Sequence, residues 1–235
     1  MSIIHALQNG SKNFKASNAN VSINVGNGNS NIAVTAGNAA INTGCGNQNI
    51  VANIANNLSI DTGCCGTDII QANVGGNAQI VTRDGDDFID LTVGGNFYVD
   101  AGMDKPNCVK TPDDDVVLIH ADLDNFSGQN YVGLGDGNDI ARIIGNNVAI
   151  QKNEGNNLNL GFYGDNYNIL SEANNNKIGF WGDNVAMTIT GAGVQDIKTL
   201  DYSFEKGEFM DFGFEDLFEQ DRILNRTIND TSTWN

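Results

Sequence analysis

The chain has 235 residues and a formal net charge of −17, with 29 acidic residues against 12 Lys and Arg. This length is compatible with one domain, and the acidic balance argues against nucleic acid and anionic membranes as partners. No long apolar run is present, so we predict no membrane span. The surplus of acids favours divalent cations as ligands, or simple solvation.

Residues 1–19 precede a regular repeat, and we predict that they form an N-terminal cap. They contain apolar side chains, among them Ile3, Ile4, Leu7 and Phe14, which could cover the end of a stacked structure. They hold neither a basic leader nor an apolar region long enough for a cleaved secretion signal. This leaves a cytosolic protein, a mature chain, or export by a route that reads another signal, and we expect the last of these.

Through most of the chain, from Asn20 to Val99 and again from Asn147, an Asn or Asp is followed three residues later by an aliphatic residue, every nine or ten residues. Alternate units match best, so the period is about 19 residues, and Ile41, Ile60, Ile80 and Val99 form one column. Strands with period-two apolar residues face this column; they are Ile50–Ile54, Ile70–Val74, Ile89–Val93, Leu158–Phe162, Ile178–Phe180 and Val185–Ile189. We predict an all-β fold, a flattened parallel β-solenoid with two strands per coil over residues 20–197.

The turns between these strands are rich in Gly and Asn, which adopt the positive φ of a tight corner. Asn side chains at equivalent corners can also stack and form hydrogen bonds along the solenoid axis. Cys45 and Cys64 occupy equivalent turns 19 residues apart, and stacked positions one coil apart are close enough for a disulfide. A Cys45–Cys64 disulfide and a pair of free thiols are both compatible with this spacing.

Three turns carry acids in a shared frame, at residues 63–70, 83–89 and 133–140. They resemble the Gly-Gly-x-Gly-x-Asp-x-aliphatic-x repeat of the repeats-in-toxin (RTX) proteins. The resemblance implies a β-roll in which two turns one coil apart enclose Ca²⁺, and bacterial type I secretion. The candidate metal ligands are Asp68, Asp84, Asp86, Asp87, Asp136 and Asp139. Other turns carry Asn instead, as at Asn157, and the coil is one residue longer than is usual in that family.

Both prolines, Pro106 and Pro112, lie where the repeat is interrupted, and we predict a loop or insertion near residues 101–114. Acids close to this interruption suggest an alternative function, because parallel β-helices also host polysaccharide lyases and epimerases that use carboxylate clusters. The two candidate clusters are Asp113–Asp115 with His120 and Asp84–Asp87 with Arg83. Basic residues are sparse and the short turns build no cleft, so we predict that the protein is not an enzyme.

Residues 198–235 depart from the repeat and combine acids with aromatic residues such as Phe209, Phe212 and Phe218. We predict a C-terminal cap, helix or export signal there, because the open end of a solenoid exposes unpaired strand edges. No acid precedes Asp61, so a nearly neutral first end could meet the acidic end of a second copy. This would give a homo-oligomer joined through the solenoid ends.

We therefore predict a non-enzymatic structural, surface or adhesive protein of the cell exterior, stabilised by Ca²⁺ and self-assembling, with a carbohydrate or a cell surface as a further partner. The alternatives are a polysaccharide-modifying β-helix enzyme and a metal-free module that binds ice or carbohydrate. For ice binding, the one column of equivalent threonines is Thr43, Thr62 and Thr82.

Overall fold

The structure, a computed structural model, describes residues 2–6, 12–63, 66–102, 113–124 and 128–199. The chain divides into two compact units, residues 1–198 and 199–235. The predicted C-terminal cap, residues 198–235, lies outside the described residues except for its first two.

The described residues form strands joined by turns and contain no helix. The sixteen strands are β1 (Ser2–Ala6), β2 (Lys12–Val25), β3 (Ser30–Asn42), β4 (Gln48–Ile54), β5 (Leu58–Asp61), β6 (Ile69–Val74), β7 (Ala78–Val81), β8 (Phe88–Val93), β9 (Phe97–Asp100), β10 (Val116–Ala121), β11 (Asn130–Leu134), β12 (Asn138–Ile144), β13 (Val148–Tyr163), β14 (Asn168–Trp181), β15 (Ala186–Ile189) and β16 (Gln195–Thr199).

The strands stack in parallel on two faces of a flattened coil, which confirms the predicted β-solenoid. The first face, here called the first sheet, runs in the order β4, β6, β8, β10 and β12. The second sheet runs in the order β5, β7, β9 and β11. The longer strands β2, β3, β13 and β14 pass through a corner and contribute to both sheets. Each coil therefore contributes one strand to each sheet, on opposite sides of the core.

The core is built from the columns that the repeat predicts. Ile41 pairs with Ile60, Ile60 with Ile80, and Ile80 with Val99, in one continuous register. These four side chains are at most 1% exposed. The opposing Ile50, Ile70 and Ile89 columns are also in register on the first sheet. Because each aliphatic side chain packs on its equivalents one coil away, the coils bury together an apolar face that one coil alone could not bury.

One predicted strand lies on the other sheet. The sequence pattern places residues 185–189 with the strands of the first sheet, but β15 pairs with Asn168–Ser171 of β14, and Met187 lies beside Ile169. It therefore extends the Val99 column of the second sheet. Apolar alternation is the same on both sheets, so alternation alone does not assign a strand to one of them.

The solenoid begins before residue 20, within the segment predicted as a cap. Strand β1 pairs with Val21–Val25, and residues 12–18 of β2 pair with the first part of β3. These strands complete a first coil. The repeat is weak in this sequence because Lys, Asn and Ser occupy many of its positions.

Two kinds of corner join the sheets. The asparagine corner, as at residues 55–57 and 75–77, leads from the first sheet to the second. Here Asn57 Oδ1 accepts a hydrogen bond from the backbone N–H of Asn77, and Asn77 Oδ1 accepts one from Asn96, at 3.1 and 2.9 Å. Asn147, Asn166 and Asn184 at the same corner have φ of 56°, 61° and 57°. The predicted Asn ladder and positive-φ turns are both confirmed.

The other corner, here called the acid corner, leads from the second sheet to the first, as at residues 62–68 and 82–87. The coil is not constant in length along it. Equivalent residues are 18 apart in the earliest coils and 20 or 19 apart in the next ones. The spacing then rises to 28 between Asp87 and Asp115 and to 24 between Asp115 and Asp139. The interval of 28 contains residues 101–114, where an insertion is predicted, and residues 103–112 lie outside the described part. The interval of 24 lies after them.

Candidate functional site: a buried column of carboxylates

Four aspartates stack along the inner side of the acid corner, one from each successive coil. Each stands two positions before the first core residue of its strand, so alternation turns its side chain inward. The four are Asp68, Asp87, Asp115 and Asp139, here called the acid column. All four are at most 2% exposed. The predicted ligands Asp68, Asp87 and Asp139 are thus brought into one line.

Each carboxylate binds the backbone of the preceding coil. Oδ1 of Asp68 accepts a hydrogen bond from the N–H of Gln48 at 2.7 Å, and Oδ1 of Asp87 accepts one from Asp68 at 2.8 Å. The pattern continues from Asp87 to Asp115 and from Asp115 to Asp139, each at 2.9 Å. One oxygen of every carboxylate therefore holds two coils in register.

The second oxygens of three of these acids have no partner. Oδ2 of Asp68, Oδ2 of Asp87 and Oδ2 of Asp115 are each buried with no hydrogen-bond partner among the described residues. A buried polar atom without a partner costs free energy. It therefore points to a proton, a cation or a water at this position.

Burial makes the ionised column costly. Desolvation raises the pKa of Asp68 to about 6, and desolvation together with the charge of Asp68 raises the pKa of Asp87 to about 9. Desolvation and the charges of Asp87 and Asp139 raise the pKa of Asp115 well above its ordinary value. Like charges stacked in a poorly solvated interior cannot all ionise cheaply. Asp87 and Asp115, in the middle of the column, therefore bind protons most strongly.

A buried lysine pairs with Asp139, the last acid of the column. Lys152 lies on β13 of the second sheet, at an inward position that follows Val148 and Ile150, and it is fully buried. Its Nζ lies 2.8 Å from Oδ2 of Asp139 and donates a hydrogen bond to the carbonyl oxygen of Gly135 at 2.5 Å. Although desolvation raises the pKa of Asp139 to about 6, the lysine opposes that shift.

The residues at either end of the column are uncharged. In register with the acids are Ser30 and Gln48 before Asp68, and Leu158 and Asn176 after Asp139. All four side chains are buried. The same position of the coil therefore accepts a hydroxyl, an amide, an apolar group or a carboxylate, and only the central coils place charge there.

The other predicted ligands do not join the column. Asp86 is exposed on an outer ladder of the same corner, where its Oδ1 accepts a hydrogen bond from the N–H of Asp114 at 3.0 Å. Asp84 is buried and Asp136 is half-buried, both in the turns. Within the described residues, no three His, Cys, Asp or Glu side chains are close enough together to hold a metal ion. A cation here would have two carboxylates from neighbouring coils and would need carbonyl oxygens or water as its remaining ligands.

Two members of the site were not predicted from the sequence. Asp115 stands two residues before the core residue Val117, as Asp87 stands before Ile89, but the 28-residue spacing hides this equivalence. Lys152 interrupts an apolar alternation at an inward position. A charged residue at a position where the alternation requires an apolar one was the sequence feature that could have indicated a buried charge.

The cysteine prediction is tested only in part. Cys45 is disulfide-bonded, while Cys64 lies outside the described residues. The pairing of Cys45 with Cys64 therefore stays a prediction.

The threonine column points into the protein. Thr43 and Thr62 donate hydrogen bonds from their hydroxyls to the carbonyl oxygens of Thr62 and Thr82, at 3.0 and 3.1 Å. All three threonines are buried, with at most 8% exposure. This column therefore cannot present hydroxyls to ice, and the ice-binding alternative loses the residues on which it depended.

Members of the two candidate catalytic clusters lie both inside and outside the coil. Arg83 pairs with Asp61, with an Nη2–Oδ2 distance of 2.6 Å, on the outside of the coil. His120 is exposed on β10, while Asp115 faces the core at the start of the same strand.

No protein-family model, curated protein or solved structure matches the chain. Among the described residues there is also no helix with the length and apolar character needed to cross a membrane.

Proposed function

We propose that this protein is a non-enzymatic structural β-solenoid of the cell surface or extracellular space, whose acid column is neutralised by Ca²⁺. The observation that carries the proposal is the stack of four buried carboxylates, one per coil, in which Oδ2 of Asp115 has no hydrogen-bond partner among the described residues. These acids act along the rod axis and connect coils. Side chains that connect coils have a structural role, whereas a catalytic acid must face a substrate.

Asp87 and Asp115 are the residues that would hold the cation. They are adjacent in the column and have the most strongly raised pKa values among its members. When bound, Ca²⁺ supplies positive charge that allows neighbouring carboxylates to ionise together. Lys152 supplies that charge for Asp139 from the chain itself. We also propose that the three acidic turns bind Ca²⁺ as the turns of RTX proteins do.

An oxidising compartment is supported by Cys45, which is disulfide-bonded. Disulfides persist mainly outside the reducing cytosol. We place the protein at the cell exterior, assembling through its ends. Fractionation of the producing cells tests the location. Recovery of the chain in the cytosol with a reduced Cys45 would contradict it.

The cation is tested by thermal unfolding of the full chain after chelator treatment, with and without about 1 mM Ca²⁺, at pH 8 and at pH 5. A ligand that binds only the native state raises the melting temperature. We expect a clear rise at pH 8 and a smaller one at pH 5, because protons compete for the same oxygens.

A matched pair of variants locates the effect. Asp115→Asn removes the buried charge and keeps an oxygen for the N–H of Asp87, so the Ca²⁺ effect should disappear. Asp114→Asn changes the exposed neighbour, which accepts a hydrogen bond from Asn138 at 2.8 Å, and should leave the effect intact. If Ca²⁺ changes the melting temperature at neither pH, the column is neutralised by protons and the cation part of the proposal fails.

A further inference from the structure

A second feature of the molecule lies on the outer surface of the second sheet, away from the acid column. Strand β11 carries Gly133 at an outward position, between Asp100 of β9 and Gln151 of β13. Gly135 is two residues further along the chain. Beside these glycines lies a trough with a cavity volume of about 320 Å³, whose lining includes Asp100, Tyr131, Gln151 and Asn153.

The carboxylate of Asp100 is the charged group that lines the trough. Asp100 is only 6% exposed, and its Oδ2 accepts a hydrogen bond from the hydroxyl of Tyr98 at 3.1 Å. A Cβ on Gly133 would lie 2.9 Å from Oδ1 of Asp100 and 2.9 Å from the hydroxyl oxygen of Tyr131. Glycine at position 133 therefore lets the Asp100 carboxylate and the Tyr131 ring lie directly over the strand.

The walls combine aromatic and amide groups. Tyr98 and Tyr131 stack with ring centroids 4.9 Å apart and an interplanar angle of 19°. The Tyr131 hydroxyl reaches Oε1 of Gln151 at 3.4 Å, and Nε2 of Gln151 donates to Oδ1 of Asn153 at 3.2 Å. In one strip of surface the trough thus offers a carboxylate acceptor, a phenol hydroxyl and two amides beside an aromatic face.

We propose that this trough binds one sugar unit of a neutral glycan. Sugar hydroxyls are both donors and acceptors, and they match a carboxylate, a phenol and amides that are held in fixed positions. The C–H face of a sugar ring matches the apolar face of a tyrosine. Neighbouring strands are about 4.8 Å apart, so the walls on β9 and β13 are about 10 Å apart, which suits a single ring.

The same groups argue against other ligand classes. An anionic sugar would meet the Asp100 carboxyl group at close range, and the charge of Arg83, which also acts on Asp100, would offset only part of that repulsion. Cleavage of a glycosidic bond needs two carboxyl groups flanking the bond, and the described residues that line the trough contain one. The trough is therefore assigned to binding. This inference goes beyond the proposed structural role, since it applies to a rod with or without Ca²⁺.

The test is titration of the full chain with neutral sugars, namely glucose, galactose, mannose, N-acetylglucosamine and their oligomers, together with uronic acid oligomers. Saturation-transfer NMR and calorimetry would measure binding up to about 10 mM, since single-unit sites are often weak. We expect at least one neutral sugar to bind, more tightly than the uronic acids.

Variants link binding to the trough. Asp100→Asn and Gln151→Ala should each weaken binding about tenfold or more, because each removes a polar partner. Gln151 is exposed, so its truncation leaves the fold intact. Gly133→Val, which fills the trough, should abolish binding. Asn168→Ala, at an exposed position on β14 of the same sheet, is the control and should bind like the unchanged chain. Absence of binding by every neutral sugar, tighter binding of uronic acids, or equal binding by all four variants would overturn the proposal.

Discussion

The two corners of the coil use the same hydrogen bond under opposite conditions. At both corners one side-chain oxygen per coil accepts a backbone N–H from a neighbouring coil, at 2.7–3.2 Å. At the asparagine corner the side chain is neutral and in contact with water. At the acid corner it is a carboxylic acid that is almost completely buried. The geometry holds coils together in both places, but only the acid corner connects stability to protons and cations.

The largest expected effect comes from removing the countercharge of the acid column. Lys152→Met leaves Asp139 buried without its cation, which should lower the free energy of unfolding by about 3–5 kcal/mol at pH 7. Urea denaturation measures this. The loss should be smaller at pH 5, because Lys152 no longer lowers the pKa of Asp139 and the carboxyl group can then take up a proton.

A double variant separates charge from packing at this point. Lys152→Met combined with Asp139→Leu imitates the next coil, where Leu158 occupies the same position. We expect it to recover most of the lost stability. A double variant as unstable as the single one would mean that the shape of the lysine side chain matters more than its charge.

The second prediction concerns pH. Asp68, Asp87 and Asp139 have raised pKa values in the folded chain, so the folded state holds protons that the unfolded chain has released above its ordinary value of 3.8. Stability should therefore be highest near pH 4 and decrease as the pH rises through about 6 and then about 9. The decrease should amount to several kcal/mol in chelator.

Chemical denaturation between pH 4 and 9 measures this dependence. Asp87→Asn should remove its part above pH 6, because the amide keeps the hydrogen bond from Asp68 without titrating. The exposed Asp86→Asn is the control and should leave the profile unchanged. A stability that increases with pH in the presence of chelator would contradict the buried, proton-binding column.

At the asparagine corner, Asn166→Ala should cost about 1 kcal/mol. The residue has a φ of 61°, which alanine adopts less readily, and the variant also loses the Oδ1 that accepts a hydrogen bond from Asn184 Nδ2 at 3.1 Å. Asn166→Gly removes the same acceptor without the backbone cost. Thermal unfolding should therefore place glycine above alanine, and the reverse order would show that the turn geometry is unimportant.

The smallest effect is expected for a charge at the exposed ladder. Asn77→Asp keeps the oxygen that accepts the N–H of Asn96 and places its charge in water. We expect a change within about 0.5 kcal/mol at pH 7, as for other surface substitutions. A loss as large as that of Lys152→Met would mean that exposure does not distinguish the two corners.

The repeat was sufficient to predict the fold class, the Ile41–Val99 column and the Asn ladder, because each depends on spacing alone. It was insufficient for Asp115, whose place in the column depends on how many residues leave the coil. It also assigned no sheet reliably to Val185–Ile189, because both sheets have the same apolar alternation. The trough at Gly133 depends on which neighbours flank a missing side chain, and a linear pattern does not contain that information.

The change in spacing at the acid corner has an evolutionary consequence. Equivalent residues are 28 apart between Asp87 and Asp115, against 19 in the coil before, yet Val116–Ala121 resumes full register with Phe88–Val93. Axial bonds between coils set the register, and chain length between corners does not. New segments can therefore enter this protein at a corner and be displayed beside an unchanged rod, a route by which a repetitive scaffold acquires variety without being redesigned.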